Sequence, residues 1–575
     1  MNKNSKNILE ISDLKDMLNK TKVLYRDKEA YKIRDVENSD ENNKVYKTFT
    51  HGEVRDMIDC LGSKLIDLGL KDKKIAVIGE NRYEWHISYL AVVCGAGVVV
   101  PFDKSLPENE LASLVQRSNV EAIFYSAKYE EEIKNVKKNG NNNLKHLISF
   151  DLKEGNDEVL SFLELIESGK KLVNNGDRRF IDTKVNPNDP NIMLFTSGTT
   201  SVSKAVCLSH NNICSNLMDI DRIVDVDYTD TFLSILPIHH VLECTVGFLF
   251  ALYKGSRIVF CDGLKYIVPN LNEYNVSVMA CVPSLYEGIF MMLRKQLEKQ
   301  GKLQQILDNE EKYKNLTMEE RREAFRYIHN MLGGNIKILL CGAAALNPNI
   351  EEKYRLLGFN LIKGYGLTET SPVIAVEREG DYKIGSVGKV IPSVEAKIFN
   401  PNEDGVGELI VKGPNIMLGY YENDEANKEA LKDGWFYTGD LAKIDEDGFI
   451  FICGRKKSVI VLKNGKNVFP EELEKLVDEI DGVVESFVYG KHVSDYENDI
   501  KVHVKIVFDR IKMKDLYGAE TNEEIQQVLS GKVKELNRLM PKYKAIRGTI
   551  ITEKPLIKTT TNKIKRQANL AEIED

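Results

Sequence analysis

Apolar residues fall at helical spacing through residues 50–70, THGEVRDMIDCLGSKLIDLGL. Val54, Met57, Ile58, Leu61, Leu65 and Leu68 share one face. Thr50 is placed to cap this helix and Glu53 to complete a capping box. The pattern then alternates. Lys74–Gly79 has strand length, Trp85–Ala96 is helical, Val98–Pro101 is a strand, Glu110–Ser118 a helix and Ala122–Tyr125 a strand. Parallel neighbours need a crossover between them and a helix supplies it, so this alternation predicts a parallel, doubly wound sheet. It resumes at Asn191–Phe195 and Ala205–Leu208, then at Phe232–Pro237, the helix-like Val241–Leu252, Arg257–Phe260 and Val276–Val282. A helix from Pro283 to Leu297 and strands at Lys337–Cys341 and Asn360–Lys363 complete it. Residues 136–190 are polar and poorly patterned and read as a peripheral connector. From Gly385 the runs become short and alternating (EAKIF, GELIVKG, GFIFICG), which predicts an antiparallel sheet or small barrel. Beyond Gly454 comes a last unit of about 120 residues, enough for an independent domain. The basic Arg455-Lys456-Lys457-Ser458 is the candidate linker.

A chain of 575 residues exceeds what one core supports, which agrees with more than one domain. The formal net charge of −8 is diffuse and argues against nucleic acid as a partner. The nine cysteines include no CxxC pair and most sit in apolar runs, as buried free thiols do. The N-terminal residues lack the apolar core of a signal peptide. The longest uncharged apolar stretch, Ile87–Phe102, is short of the roughly 20 residues of a membrane span. The expectation is a cytoplasmic protein. The charged stretch 294–330 reads as surface helices.

Candidate chemistry begins at Leu194–Asn212, LFTSGTTSVSKAVCLSHNN. An apolar run breaks into Thr196, Ser197, Gly198, Thr199, Thr200 and Ser201, followed by Lys204 and the helix-cap composition Ser209-His210-Asn211-Asn212. Small residues let backbone N–H groups converge, hydroxyls add donors and the lysine adds a compact positive charge, a set suited to the phosphates of a nucleotide. It is not a Walker loop, because Ser203 and Ala205 flank the lysine. Alone, it reads equally well as a polar turn between strands.

Five further stretches change that balance: LPIHHVLE (236–243), CGAAAL (341–346), GYGLTET (364–370), YTGDLAKIDEDGFIFICGRKK (437–457) and KTTTNKIKR (558–566). With TSGTTSVSK (196–204), in this order and spacing, they resemble the acyl-adenylate-forming enzymes, and most closely the long-chain fatty acyl-CoA synthetases. The resemblance covers nearly the whole chain. It implies an α/β fold: an N-terminal AMP-binding domain of doubly wound sheets plus a small β-barrel over 1–456, then a small mobile α+β domain over 457–575. It implies an ATP-dependent, AMP-forming acid–thiol ligase acting on a medium- or long-chain fatty acid, with Mg²⁺ and coenzyme A. Aryl-acid or carrier-protein ligases, and a non-catalytic nucleotide-binding homologue, are the alternatives. Oligomeric state and peripheral membrane contact stay open.

The resemblance also implies roles. Thr196, Ser197, Gly198, Thr199, Thr200 and Lys204 would wrap the β- and γ-phosphates. Glu369, with Thr196, would hold Mg²⁺, and Thr368 would touch the α-phosphate. Tyr365, between Gly364 and Gly366, would stack on adenine, with Gly342, Ala343 and Ala344 close to the base. Asp440 and Arg455 would bind the ribose. Lys563 would bridge carboxylate and α-phosphate oxygens, although a lysine in such a tail is ordinarily a solvated charge. Lys457 matches the family's hinge and Gly465 a glycine of its pantetheine tunnel. His240 would guard the acyl pocket, followed by Glu243 as in the long-chain branch. No acidic residue near 236–240 could pair with a substrate amine, which disfavours amino acids. Ser201, Ser203 and Ala205 replace residues usual in the phosphate loop, and Asn562 a glycine usual in the tail.

Overall fold

The computed structural model describes residues 8–35, 38–39, 43–140, 143–196, 203–462, 466–492, 500–559 and 563–574. They form two compact units. The larger takes in the described parts of 1–196, 205–395 and 412–434, the smaller those of 197–204, 396–411 and 435–575.

The larger unit is built on two mainly parallel sheets. The first runs Gly419–Tyr420, Lys204–Leu208, Ile192–Thr196, Gly97–Pro101, Lys73–Ile78, Ala122–Tyr125, His146–Ser149, Val159–Ser161. The second runs Lys389–Val390, Val373–Val376, Leu361–Gly366, Ile338–Cys341, Val278–Cys281, Thr231–Ser234, Arg257–Phe260, Glu29–Arg34, Tyr46–Thr50. Its central pairings are parallel and its outer ones antiparallel. Val278–Cys281 and Ile338–Cys341 are buried at every position, which is why such strands read as unbroken apolar runs.

The helix His51–Asp67 starts as predicted. The Thr50 hydroxyl accepts from Glu53 N at 3.2 Å and the Glu53 carboxylate accepts from Thr50 N at 2.8 Å. The helical run at 85–96 divides into an α-helix, Tyr83–Ala91, and a wider π turn, Val92–Ala96. The strand at 232–237 ends at Ser234. Residues 136–190 are not a peripheral connector. His146–Ser149 and Val159–Ser161 extend the first sheet, and Phe162–Asn174 is a helix packed on His51–Asp67. Gly169 allows that approach, since a Cβ there would lie 1.8 Å from the Cys60 carbonyl oxygen. Strands of four and three residues are too short to show a period, and that hid them. The charged stretch after 294 forms short helices that also place Ile306, Phe325, Ile328 and Leu332 in the core.

The smaller unit has an antiparallel sheet of Glu395–Phe399, Gly407–Lys412, Trp435–Ile444 and Ile450–Arg455. A three-stranded sheet follows, Val483–His492, Ile500–Phe508 and Gly548–Thr552, covered by helices Pro470–Asp478 and Asn522–Arg538. Leu473, Val477, Val488, Val504, Ile506, Ile525 and Leu529 fill its core. All nine cysteines are free, and six are buried.

Candidate active site

Parallel strands put their C-terminal ends on one edge, where loops gather around a ligand. Thr231–Ser234, Ile338–Cys341 and Leu361–Gly366 end on such an edge, and each runs into one of the predicted motifs. Cys341 is in register with Lys363, so Gly342 lies beside Gly364. A Cβ on Gly342 would sit 3.7 Å from the Gly364 oxygen and 3.4 Å from Leu242. Three motifs far apart in sequence therefore meet. Ala343 adopts φ 70°, a left-handed turn that costs alanine about 1 kcal/mol, and Ala344 beside it is exposed.

After Gly366 the chain folds back. A Cβ on Gly366 would lie 1.8 Å from the Pro372 oxygen, so only glycine fits. Leu367 N donates to Pro372 O at 3.1 Å, and Thr368–Thr370 makes one 3₁₀ turn. Asn415 donates to Thr370 O at 3.0 Å and Val373 O at 2.9 Å. Asn216 donates to Val373 O at 2.9 Å and accepts from its N at 3.2 Å. Asn212 holds the Asn415 segment through Pro414 O at 2.7 Å and Ile416 O at 2.9 Å. Glu369 is fixed twice: its carbonyl accepts from Met417 N at 2.8 Å and its carboxylate from the Tyr420 hydroxyl at 2.9 Å. Sequence reasoning named Asn212 only as part of a helix cap, which it also is, and missed Asn216, Asn415 and Tyr420. For Asn415 and Tyr420 the available signal was GPNIMLGYY (413–421), where polar side chains interrupt an apolar run that needs partners for them.

His240 lies half-buried in the turn after Leu236. Its N donates to Pro237 O at 3.0 Å, and Leu242 N donates to its Nδ1 at 3.3 Å. His239 Nε2 stands 3.5 Å from Asp103 Oδ2, and burial lowers its pKa. Beneath the turn, Asn81 donates to Ser234 Oγ at 2.8 Å and Leu236 O at 2.7 Å, and Ser234 donates to Glu243 Oε1 at 2.6 Å. Glu243 has no exposed surface, and burial lifts its carboxyl from 4.5 to about 8 against the hydrogen bonds from Ser234 and Leu236. Between those values the folded chain holds a proton that the unfolded chain has lost, so stability falls as pH rises across that window. Glu243→Gln removes this penalty. It is expected to stabilise the protein on the order of a few kcal/mol at pH 8, and hardly at all at pH 4. Thermal melts of both proteins at the two pH values check it; an equal gain at both would refute it.

In the smaller unit Asp440 stands opposite Arg455 on neighbouring antiparallel strands, with Arg455 Nε 2.7 Å from Asp440 Oδ1. Asp440 is buried and Arg455 exposed, so the pair sets a buried acceptor beside a solvent-facing cation. Gly439 N and Lys456 Nζ meet the Glu408 carboxylate at 3.2 and 2.8 Å. Lys457 is exposed in the 3₁₀ turn Lys456–Ser458. Lys563 is half-buried near the chain's end. Thr196 closes one strand of the first sheet and Lys204 opens the next. Ser197, Gly198, Thr199, Thr200 and Gly465 lie outside the described residues. Among the described residues, no group of three or more His, Cys, Asp or Glu could hold a metal, and no helix is long and apolar enough to cross a membrane.

The loops at the sheet edge and the motifs they carry define an AMP-binding enzyme. The family model of that description matches residues 22–421, and the chain belongs to the family. Long chain acyl-CoA synthetase 4 of Arabidopsis thaliana is 28% identical over 473 residues, 77% of this chain and 71% of its own. Fatty acyl-CoA synthetase B of Dictyostelium discoideum is 28% identical over 513 residues, 84% and 75% of the two chains. Among solved structures, the anthranilate CoA ligase AuaEII in complex with anthranoyl-AMP matches with a TM-score of 0.75 at 18% identity, covering 97% of each chain. ATP-bound MatB from Rhodopseudomonas palustris matches with a TM-score of 0.74 at 22% identity, covering 98% of this chain and 99% of its own. These structures share the α/β fold.

Proposed function

We propose that this protein is an ATP-dependent, AMP-forming ligase that activates a medium- or long-chain fatty acid as its acyl-adenylate and passes the acyl group to coenzyme A. The observation that carries the reading is the meeting of Leu242, Gly342 and Gly364 at one sheet edge, beside a Glu369 held from both backbone and side chain. The named relatives in the long-chain branch support the choice of acid.

The chemistry asks little of acid–base catalysis. A carboxylate is already a nucleophile at neutral pH, and attack on the α-phosphate needs anion repulsion removed and charge on phosphorus stabilised. In this reading Tyr365 and the Gly342–Ala344 backbone bind adenine, Asp440 and Arg455 bind the ribose, and Thr368 and Lys563 act on the α-phosphate oxygens. Thr196, Lys204 and the hydroxyls between them bind the outer phosphates, and His240 borders the acyl pocket. Residues 457–575 form the mobile domain, with Lys457 as its hinge and Gly465 beside the thiol's route. The Glu369 carboxylate is a hard oxygen donor oriented by Tyr420, which fits Mg²⁺, an ion held by one or two carboxylates plus substrate phosphates. Bound there, the ion would neutralise phosphate charge.

Pyrophosphate release, measured across fatty acids of graded length and a set of aryl acids, tests the proposal. Release is expected with fatty acids and to peak at one chain length. A preference for aryl acids would replace the substrate, and no release with any acid would leave a nucleotide-binding homologue.

A further inference from the structure

One buried side chain closes the segment that carries Lys563. Two arms, Ile557–Thr559 and Lys563–Lys565, run antiparallel, with Lys558 paired to Ile564. Thr559 N donates to Lys563 O at 2.8 Å, Lys563 N to Thr559 Oγ1 at 3.1 Å, and Lys565 N to Ile557 O at 2.9 Å. Asn569, in the helix Arg566–Glu574 that follows, has no exposed surface. Its Nδ2 donates to Ile557 O at 2.8 Å and Lys565 O at 2.9 Å, and its Oδ1 accepts from Ile557 N at 3.0 Å. One amide thus uses both donors and an acceptor to tie the two arms together at their base.

The helix is anchored separately. Arg566 reaches Glu474 Oε2 at 2.6 Å and Val488 O at 3.2 Å, while Leu570 and Ile573 pack with Phe487 and Tyr489. Loss of the Asn569 amide therefore leaves the helix docked and loosens the arms. We infer that Asn569 is a positioning residue for adenylation, clamping the two arms so that the Lys563 ammonium is presented in one place. The inference rests on the role proposed above for Lys563.

Asn569→Asp keeps the side chain's size and its acceptor for Ile557 N, but turns an oxygen toward two carbonyl oxygens. Adenylation kcat is expected to fall about 10- to 100-fold, the usual scale for a reacting group displaced by about an ångström. The KM for ATP and thioester formation from supplied acyl-adenylate should stay within about twofold of wild type, because Lys563 has no part in that second half-reaction. Asn569→Ala, which loses the donors without adding repulsion, should show the same split to a smaller degree. Equal losses in both half-reactions for both variants would mean a general structural role and overturn the inference, as would unchanged adenylation. Lys563→Ala, assayed alongside, separates the two ideas. If it loses adenylation while the Asn569 variants keep it, the clamp alone is wrong. If it keeps adenylation, the role of Lys563 falls and the clamp with it.

Discussion

Lys563→Ala is expected to lower adenylation by about 10²- to 10³-fold, the range seen when one preorganised group that stabilises developing charge is removed. Neither nucleophile nor leaving group needs a proton moved by the protein, so the barrier is dominated by bringing a carboxylate against an already anionic phosphate. A lysine ammonium is a compact charge with three donors, able to touch a carboxylate oxygen and a phosphate oxygen together. Its loss should appear in kcat for pyrophosphate release. Thioester formation from supplied acyl-adenylate should stay nearly unchanged, since there the phosphate charge has already been dealt with. Lys563→Arg should recover little, because the planar guanidinium keeps the charge but not the geometry. Single-turnover measurements of the two half-reactions decide the matter. If the alanine variant retains both rates, the proposed role is wrong.

What could be read from the sequence was local. The Thr50–Glu53 capping box spans three residues, and both of its hydrogen bonds are present. The strands feeding the motif loops announced themselves as apolar runs, but their order in the sheet, which brings the loops to one edge, came only from the folded chain. What could not be read was long-range or too short to show a period. Tyr420 reaches Glu369 across 51 residues and Asn216 reaches Val373 across 157, and nothing near either asparagine or tyrosine names its partner. His146–Ser149 and Val159–Ser161 belong to the first sheet through pairings that only the folded chain reveals. Asn569 lies in a tail that reads as solvated, yet it has no exposed surface. Its two acceptors and one donor are all backbone groups, which carry no sequence signature.

The same blindness hid the feature whose disruption should cost the larger unit most. Directly before Gly364 and Tyr365, Lys363 enters a buried cluster of four charges. Glu351 is 0% exposed, Glu377 1%, Arg355 4% and Lys363 6%. Lys363 Nζ bonds Glu351 and lies 3.4 Å from Glu377 Oε1, while Arg355 meets Glu377 Oε2 at 2.7 Å and Glu351 Oε1 at 3.0 Å. Glu377 also accepts from Lys363 N at 3.0 Å, and Glu351 from Gly385 N at 3.3 Å. Two cations balance two carboxylates, so the cluster tolerates burial only as a set. Lys363→Met leaves two buried carboxylates with one cation, and is expected to destabilise the protein by about 3–5 kcal/mol in urea unfolding. Burial already raises the Glu377 carboxyl against Arg355 and Lys363. Without Lys363 it should rise further, so the folded variant takes up a proton and its deficit shrinks as pH falls toward 5. Adding Glu377→Gln to Lys363→Met, so that the pair together removes one charge of each sign and leaves Arg355 with Glu351, should restore a large part of the loss, making the two substitutions strongly non-additive. Additive losses at both pH values would mean the four charges act independently. The strand carrying Gly364 and Tyr365 would then owe its position to ordinary sheet pairing alone.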